Sequence, residues 1–138
     1  LTPALATLLW CAWGGAATME IHLKSKSDEY TTDTPVVIGT SLALDCCSRY
    51  RTYGAAYLRA YMLFIEWLSE TRGGVRVNGP GNPPSPLEVV IMNDESDSDL
   101  VIEHFHEMLH NRSYKLLLST YSSGLSAGSA AEVDATDA

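Results

Sequence analysis

Two stretches of this chain carry side chains whose type and spacing could do chemistry. The first, His106-Glu107-Met108-Leu109-His110, matches the H-E-x-x-H pattern. On a helix, histidines at i and i+4 share a face and can grip Zn²⁺, while the glutamate between them polarises a bound water. A zinc hydrolase also needs a third protein ligand. No histidine follows at the metzincin spacing, and Glu132 is the distant candidate. The alternative is an amphipathic helix whose polar flank carries His104, His106 and His110, and that is the expectation: no metal and no cofactor. The second stretch is Tyr121-Ser122-Ser123-Gly124, directly after an apolar run at 115–119. Helix starts carry unpaired N–H groups and the positive end of the macrodipole, so they suit anions. Ser122 lies in no Gly-x-Ser-x-Gly elbow, so it reads as a hydrogen-bond donor to a carboxylate rather than a nucleophile. That points to binding, not to an enzyme.

These side chains must be positioned by regular elements. Two earlier apolar runs, 36–39 and 87–92, also open into polar residues at their C-terminal ends. Three such ends side by side would form the rim of a ligand cleft. Between the first two runs, Tyr57, Tyr61, Phe64 and Leu68 recur at helical spacing, which predicts a helix over 53–70 closed by Gly73-Gly74. Residues 75–86 hold four prolines and two glycines and read as a surface loop. The acidic stretch Asp94-Glu95-Ser96-Asp97-Ser98-Asp99 offers N-caps for a helix over 98–111 with Val101, Phe105, Met108 and Leu109 as its apolar stripe. It is no EF-hand loop, lacking glycine at its sixth place and glutamate at its twelfth. The order β-α-β-α-β-α predicts an α/β fold: a short parallel sheet in a three-layer α/β/α arrangement.

At 138 residues the chain fits one domain, and a net charge of −8 with nine scattered basic residues argues against a nucleic-acid partner. Three cysteines, with Cys46 and Cys47 adjacent, are too few for a disulfide framework. Residues 1–19 are apolar and rich in small residues; they read as the h-region and cleavage region of a secretory signal, whose basic start lies upstream. Residues 20–34 read as a polar linker and 35–138 as the domain. Asn111-Arg112-Ser113 is a glycosylation sequon, usable in a secreted eukaryotic chain.

From Val36 to about Ser129 the chain resembles the N-terminal lobe of type I periplasmic solute-binding proteins of the leucine/isoleucine/valine-binding kind. The resemblance rests on Val37-Ile38-Gly39-Thr40-Ser41-Leu42, Tyr53-Gly54, Gly73-Gly74-Val75, the run from Leu87 to Asp97, and Leu116 to Ser123. It implies half of a lobe from a clamshell that closes on a small ligand, commonly an amino acid or amide. Ser122, with Ser123 and Tyr121 beside it, would bind the ligand's carboxylate. Tyr53 would pack on the ligand, and Ser41 and Leu42, after the first strand, would line the rim. Extracytoplasmic placement follows from the resemblance, with either an ABC permease or a receptor's transmembrane and signalling region as partner. Family members are more than twice as long. The resemblance covers none of the second lobe, and Ser69-Glu70-Thr71-Arg72 stands where the family usually has an Asn before the Gly-Gly pair.

Overall fold

The computed structural model describes residues 19–27, 34–45, 47–77 and 79–136. The expected signal-like segment lies outside them except for Met19, as does Cys46. Four strands form one open, mostly parallel sheet in the order β1-β3-β2-β4. They are β1 (Glu20–Lys24), β2 (Val36–Leu42), β3 (Leu87–Asn93) and β4 (Leu116–Leu117). Helix α1 (Arg51–Thr71) joins β2 to β3, α2 (Ser98–His106) with a π-helical turn (Glu107–Asn111) joins β3 to β4, and α3 (Ser123–Thr136) follows β4. The mixed α/β class and the order of elements from β2 onward are those expected.

Strand β1 is the departure. It pairs antiparallel with β3, Ile21 opposite Ile91 and Leu23 opposite Val89, within the stretch expected to be linker. Its Glu-Ile-His-Leu-Lys alternation has the period of a half-buried strand, and Ile21 and Leu23 pack against the core. The parallel pairing of β2 with β3 runs in register from Val36–Leu87 to Leu42–Asn93. Alternate residues therefore share a face, and Leu42, Leu87, Val89 and Ile91 pack with Ile65 and Leu68 of α1. Each such side chain, fully buried, contributes on the order of 1.5–3 kcal/mol.

The packed face of α1 is rotated from the expected one. Gly54, Leu58, Tyr61, Ile65 and Leu68, at spacings of four, three, four and three, meet the sheet. Tyr57 and Phe64, expected inside, are exposed, and Phe64 stacks on Trp67 at 5.9 Å between ring centroids. The helix carries two overlapping apolar stripes, and glycine decides between them by letting α1 approach the chain after β2. On the opposite face Gly39 lets Met108 close onto β2, since any Cβ there would overlap the Met108 sulfur. Val101 and Phe105 of α2 pack with Leu125 of α3. The proline-rich stretch is less loose than expected: Val75 and Ser85 form a β-bridge, and Pro84 and Pro86 are fully buried. No helix among the described residues is long and apolar enough to cross a membrane.

Candidate functional site

The carboxyl ends of β2, β3 and β4 reach one edge of the sheet because all three strands are parallel. The edge is stitched across the strands. The Asp94 N–H donates to the Leu42 carbonyl at 3.1 Å, and the Leu44 N–H to the Asn93 side chain at 2.7 Å. After β3 the chain turns through Glu95 and Ser96, both in the left-handed region with φ of 52° and 65°. The Asp97 N–H closes the turn on the Asp94 carbonyl at 2.7 Å, and the Asp97 side chain caps α2 through the N–H groups of Asp99 and Leu100. The acidic stretch is thus consumed by a turn and a helix cap, as its composition suggests.

Beneath the edge lies a buried polar network that links four elements. Asp94 is fully buried. Its Oδ1 accepts from the Tyr121 hydroxyl at 2.9 Å and the Ser96 N–H at 2.8 Å, and its Oδ2 accepts from Ser41 Oγ at 3.3 Å. Ser41 Oγ lies 2.9 Å from His104 Nδ1. With the serine proton directed at Asp94, His104 is the donor through Nδ1–H, which fixes its tautomer. Burial pushes Asp94 above the ordinary aspartate range against the pull of its three donors, and pushes His104 below the ordinary imidazole range. Burial likewise raises the Tyr121 phenol, with the Asp94 carboxylate adding to the effect, so Tyr121 remains a donor.

Above the network sits an aromatic rim. Tyr50 lies 6.4 Å from Tyr53 and 5.7 Å from Tyr121 between ring centroids, and Tyr57 lies 6.4 Å from Tyr121. The Arg49 guanidinium covers the Tyr50 ring at 5.2 Å, and the Tyr50 N–H donates to Ser96 Oγ at 3.0 Å. The Ser122 carbonyl accepts the first bond of α3 from the Ser126 N–H at 2.8 Å, which makes Ser122 its N-cap.

Tyr53, Tyr121 and Ser122 therefore share one edge, joined through Tyr50, and Tyr53 is 59% exposed. Ser123 is exposed in the first turn of α3. Ser41 and Leu42 are elsewhere than expected: they are the last two residues of β2, not a following loop, and both are fully buried. Ser41 acts from below the rim through Asp94, while Leu42 belongs to the core under α1. Two open depressions, about 250 Å³ beside Ser119, Ser126 and Val133 and about 630 Å³ beside Lys26, Ser69 and Arg72, touch none of Ser41, Tyr53 and Ser122.

Sequence reasoning missed two members of this site. His104 was expected on the polar flank of α2 but is buried, and its position between Val101 and Phe105, four before Met108, is the signal that marks it as inward-facing. Tyr50 precedes α1, and its signal is that it extends the spacing of Tyr53, Tyr57 and Tyr61 one step upstream of the expected helix start. The H-E-x-x-H residues divide. His106 and His110 lie side by side at 4.4 Å between ring centroids, whereas Glu107 bonds to Asn111 and to Arg112 Nε.

His104 makes the site pH-sensitive in a defined direction. Neutral when folded, it takes up a proton in the unfolded chain below about pH 6.5, so its contribution is complete above that value and falls as acidification proceeds toward its depressed folded pKa. Thermal unfolding at pH 7.5 and 5.5 should show a smaller acid-induced loss for His104→Asn than for the native chain. His22, raised by its bond to Glu88 and by Glu20, responds in the opposite sense but is common to both proteins. An equal loss in the two proteins would remove His104 as the cause.

Comparison with protein-family models, with curated proteins and with solved structures finds no match to this chain, so the reading of the site rests on its own geometry.

Proposed function

We propose that this chain forms part of an extracytoplasmic solute-binding domain, a three-layer α/β/α half-lobe of the type I periplasmic kind, that takes an amino acid or amide-like small molecule. The single observation that carries the reading is the meeting of Tyr53, Tyr50 and Tyr121 with the Ser122 N-cap at the carboxyl edge of three parallel strands. In open α/β sheets ligands bind at that edge. An aromatic wall gives apolar contact to a side chain, and a helix start gives N–H and hydroxyl donors to a carboxylate. Tyr53 and Ser123 are exposed, which suits one wall of a cleft whose other wall closes over the ligand. Typical small-molecule sites bury about 70–90% of the ligand's surface. Service to an ABC permease or to a receptor's signalling region follows from the same reading.

The test is calorimetry on the longest form of the protein that carries this segment, with the common amino acids titrated singly. Ser122→Ala should weaken the best binder by about 1.5–3 kcal/mol, the usual cost of removing a hydrogen bond to a charged group. A helix-start hydroxyl that only caps α3 would lower the melting temperature and leave affinity intact. That result, or the absence of any amino-acid heat, sinks the proposal. The hydrolase alternative lacks comparable support, because Glu107 is held by Asn111 and Arg112 instead of facing the space between the two histidines.

A further inference from the structure

We propose that His106, His110 and Glu132 form a binding site for a divalent transition-metal ion, with Zn²⁺ as the fitting probe, and that the ion staples the end of α2 to α3. The three side chains come from three elements. His106 ends α2, His110 lies in the π-helical turn, and Glu132 lies in the last turns of α3. Glu132 Oε1 is 2.7 Å from His106 Nδ1 and 3.3 Å from His110 Nε2, and one donor atom from each residue lies within 4.8 Å of the others. A tetrahedral zinc with ligands about 2.0–2.1 Å away separates its donors by roughly 3.3 Å. The shorter glutamate contact opens by about half an ångström, and the histidine nitrogens, within 4.8 Å of each other, draw together on the ion.

Two imidazoles and one carboxylate favour a borderline cation over Mg²⁺ or Ca²⁺, which demand more oxygens. A second histidine–carboxylate group among the described residues shows what this one has in addition. His22 bonds Glu20 through Nε2 and Glu88 through Nδ1, so its two carboxylates flank opposite sides of one ring and cannot share an ion with it. At the α2–α3 site all donors converge. Glu107, the middle residue of the H-E-x-x-H run, is no part of the group, because Asn111 and Arg112 hold it. The consequence for the fold lies in α3, whose buried residues are Leu125 and Ser129. A metal bridge at Glu132 would tether its far end. The proposal stands apart from the solute-binding reading.

Titration of the whole chain with ZnCl₂ tests it. One Zn²⁺ per chain is expected, with affinity weakened at least about tenfold by each of His106→Ala, His110→Ala and Glu132→Gln. Glu107→Gln, excess Mg²⁺ and prior alkylation of the thiols should leave binding unchanged. At about ten times its dissociation constant, Zn²⁺ should slow amide exchange across 123–136 by roughly tenfold, and not in Glu132→Gln. Circular dichroism of each variant checks that its fold is kept, as expected for the exposed His106 and His110 and the half-buried Glu132. Absence of stoichiometric binding, loss of binding on alkylation, or equal sensitivity to Glu107→Gln and Glu132→Gln would overturn the site. Binding without slower exchange in α3 would overturn the staple.

Discussion

Gly54→Ala should destabilise the protein by about 3 kcal/mol or more, although glycine to alanine inside a helix ordinarily gains up to about 1 kcal/mol. The sign is the test. Gly54 sits in the first turns of α1, buried against the segment that leaves β2. A Cβ at this position would fall well within 3.0 Å of the Ala43 carbonyl oxygen and carbon. Those are backbone atoms, so no side chain can swing aside. Either α1 tilts away and opens its contacts at Leu58, Tyr61 and Ile65, or the β2 end shifts and pulls Leu42 and Ser41 from place. Gly124 gives the control. It lies in the first turn of α3, where the nearest atom to a new Cβ is Ser122 Oγ at 3.9 Å. Gly124→Ala should be neutral or stabilising by up to about 1 kcal/mol. Urea unfolding followed by circular dichroism reads both, and a stable Gly54→Ala protein would show that α1 does not dock at this distance.

The same position explains how much of the fold was legible. Apolar runs and helical spacing announce β2, α1, β3, α2 and β4 in order, because each must bury a face and the period of that face is written locally, while α3 is announced only by the hydroxyl residues at its start. Which of two overlapping stripes on α1 turns inward is not local. It depends on Gly54 meeting Ala43, a contact across a turn, and the spacing of Tyr57 and Phe64 competes equally well until the sheet is present. Strand β1 was hidden for a related reason. Its five residues alternate, but Glu20, His22 and Lys24 give it the composition of a linker, and only β3 beside it supplies the hydrogen bonds that make it a strand. Arg112 reinforces that placement through two bonds to the Glu20 carboxylate at 2.6 and 2.9 Å. Strand β4 is shorter than its apolar run, since the chain leaves the sheet after Leu117 to reach Tyr121.

The rim was legible in part. Tyr121-Ser122 marks itself by following an apolar run, and Tyr53 by opening a helix. The network beneath was not, because its residues come from positions 41, 94, 104 and 121 and only the parallel register brings them together. Asp94 read as a turn and cap residue, which it is through Ser96 and Asp97, yet its carboxylate also faces inward to Ser41 and Tyr121. A histidine in a run of three near a helix end reads as surface, although its spacing from Val101 and Met108 separates His104 from His106 and His110.

Asp94 supplies the sharpest test of that network, because two substitutions at one position should differ in size and in sign. Asp94→Ala strands the Ser41 hydroxyl, the Tyr121 hydroxyl and the Ser96 N–H, and it leaves a void. At about 1–3 kcal/mol for each group left unsatisfied, with Tyr121 and Ser96 close enough to the surface to recruit water, the total should be about 3–4 kcal/mol. Asp94→Asn keeps an oxygen for Tyr121 and Ser96 and turns an amide donor toward Ser41, whose own proton can then go to the Met92 carbonyl at 3.3 Å or to His104. It also removes a charge that burial disfavours. Because Asp94 titrates above its ordinary value, the folded chain binds this proton more tightly than the unfolded chain does. The stabilisation that goes with it is therefore full at low pH and lost as pH rises through the raised pKa. Asp94→Asn should thus be neutral or stabilising near pH 7, and that component of the pH dependence should vanish. Thermal melts from pH 4 to 8 on the three proteins separate the cases. If Asn costs as much as Ala, Asp94 acts through its charge rather than its hydrogen bonds. The carboxylate would then be held ionised by the edge of the sheet, where a bound solute's own charge would have to compete with it.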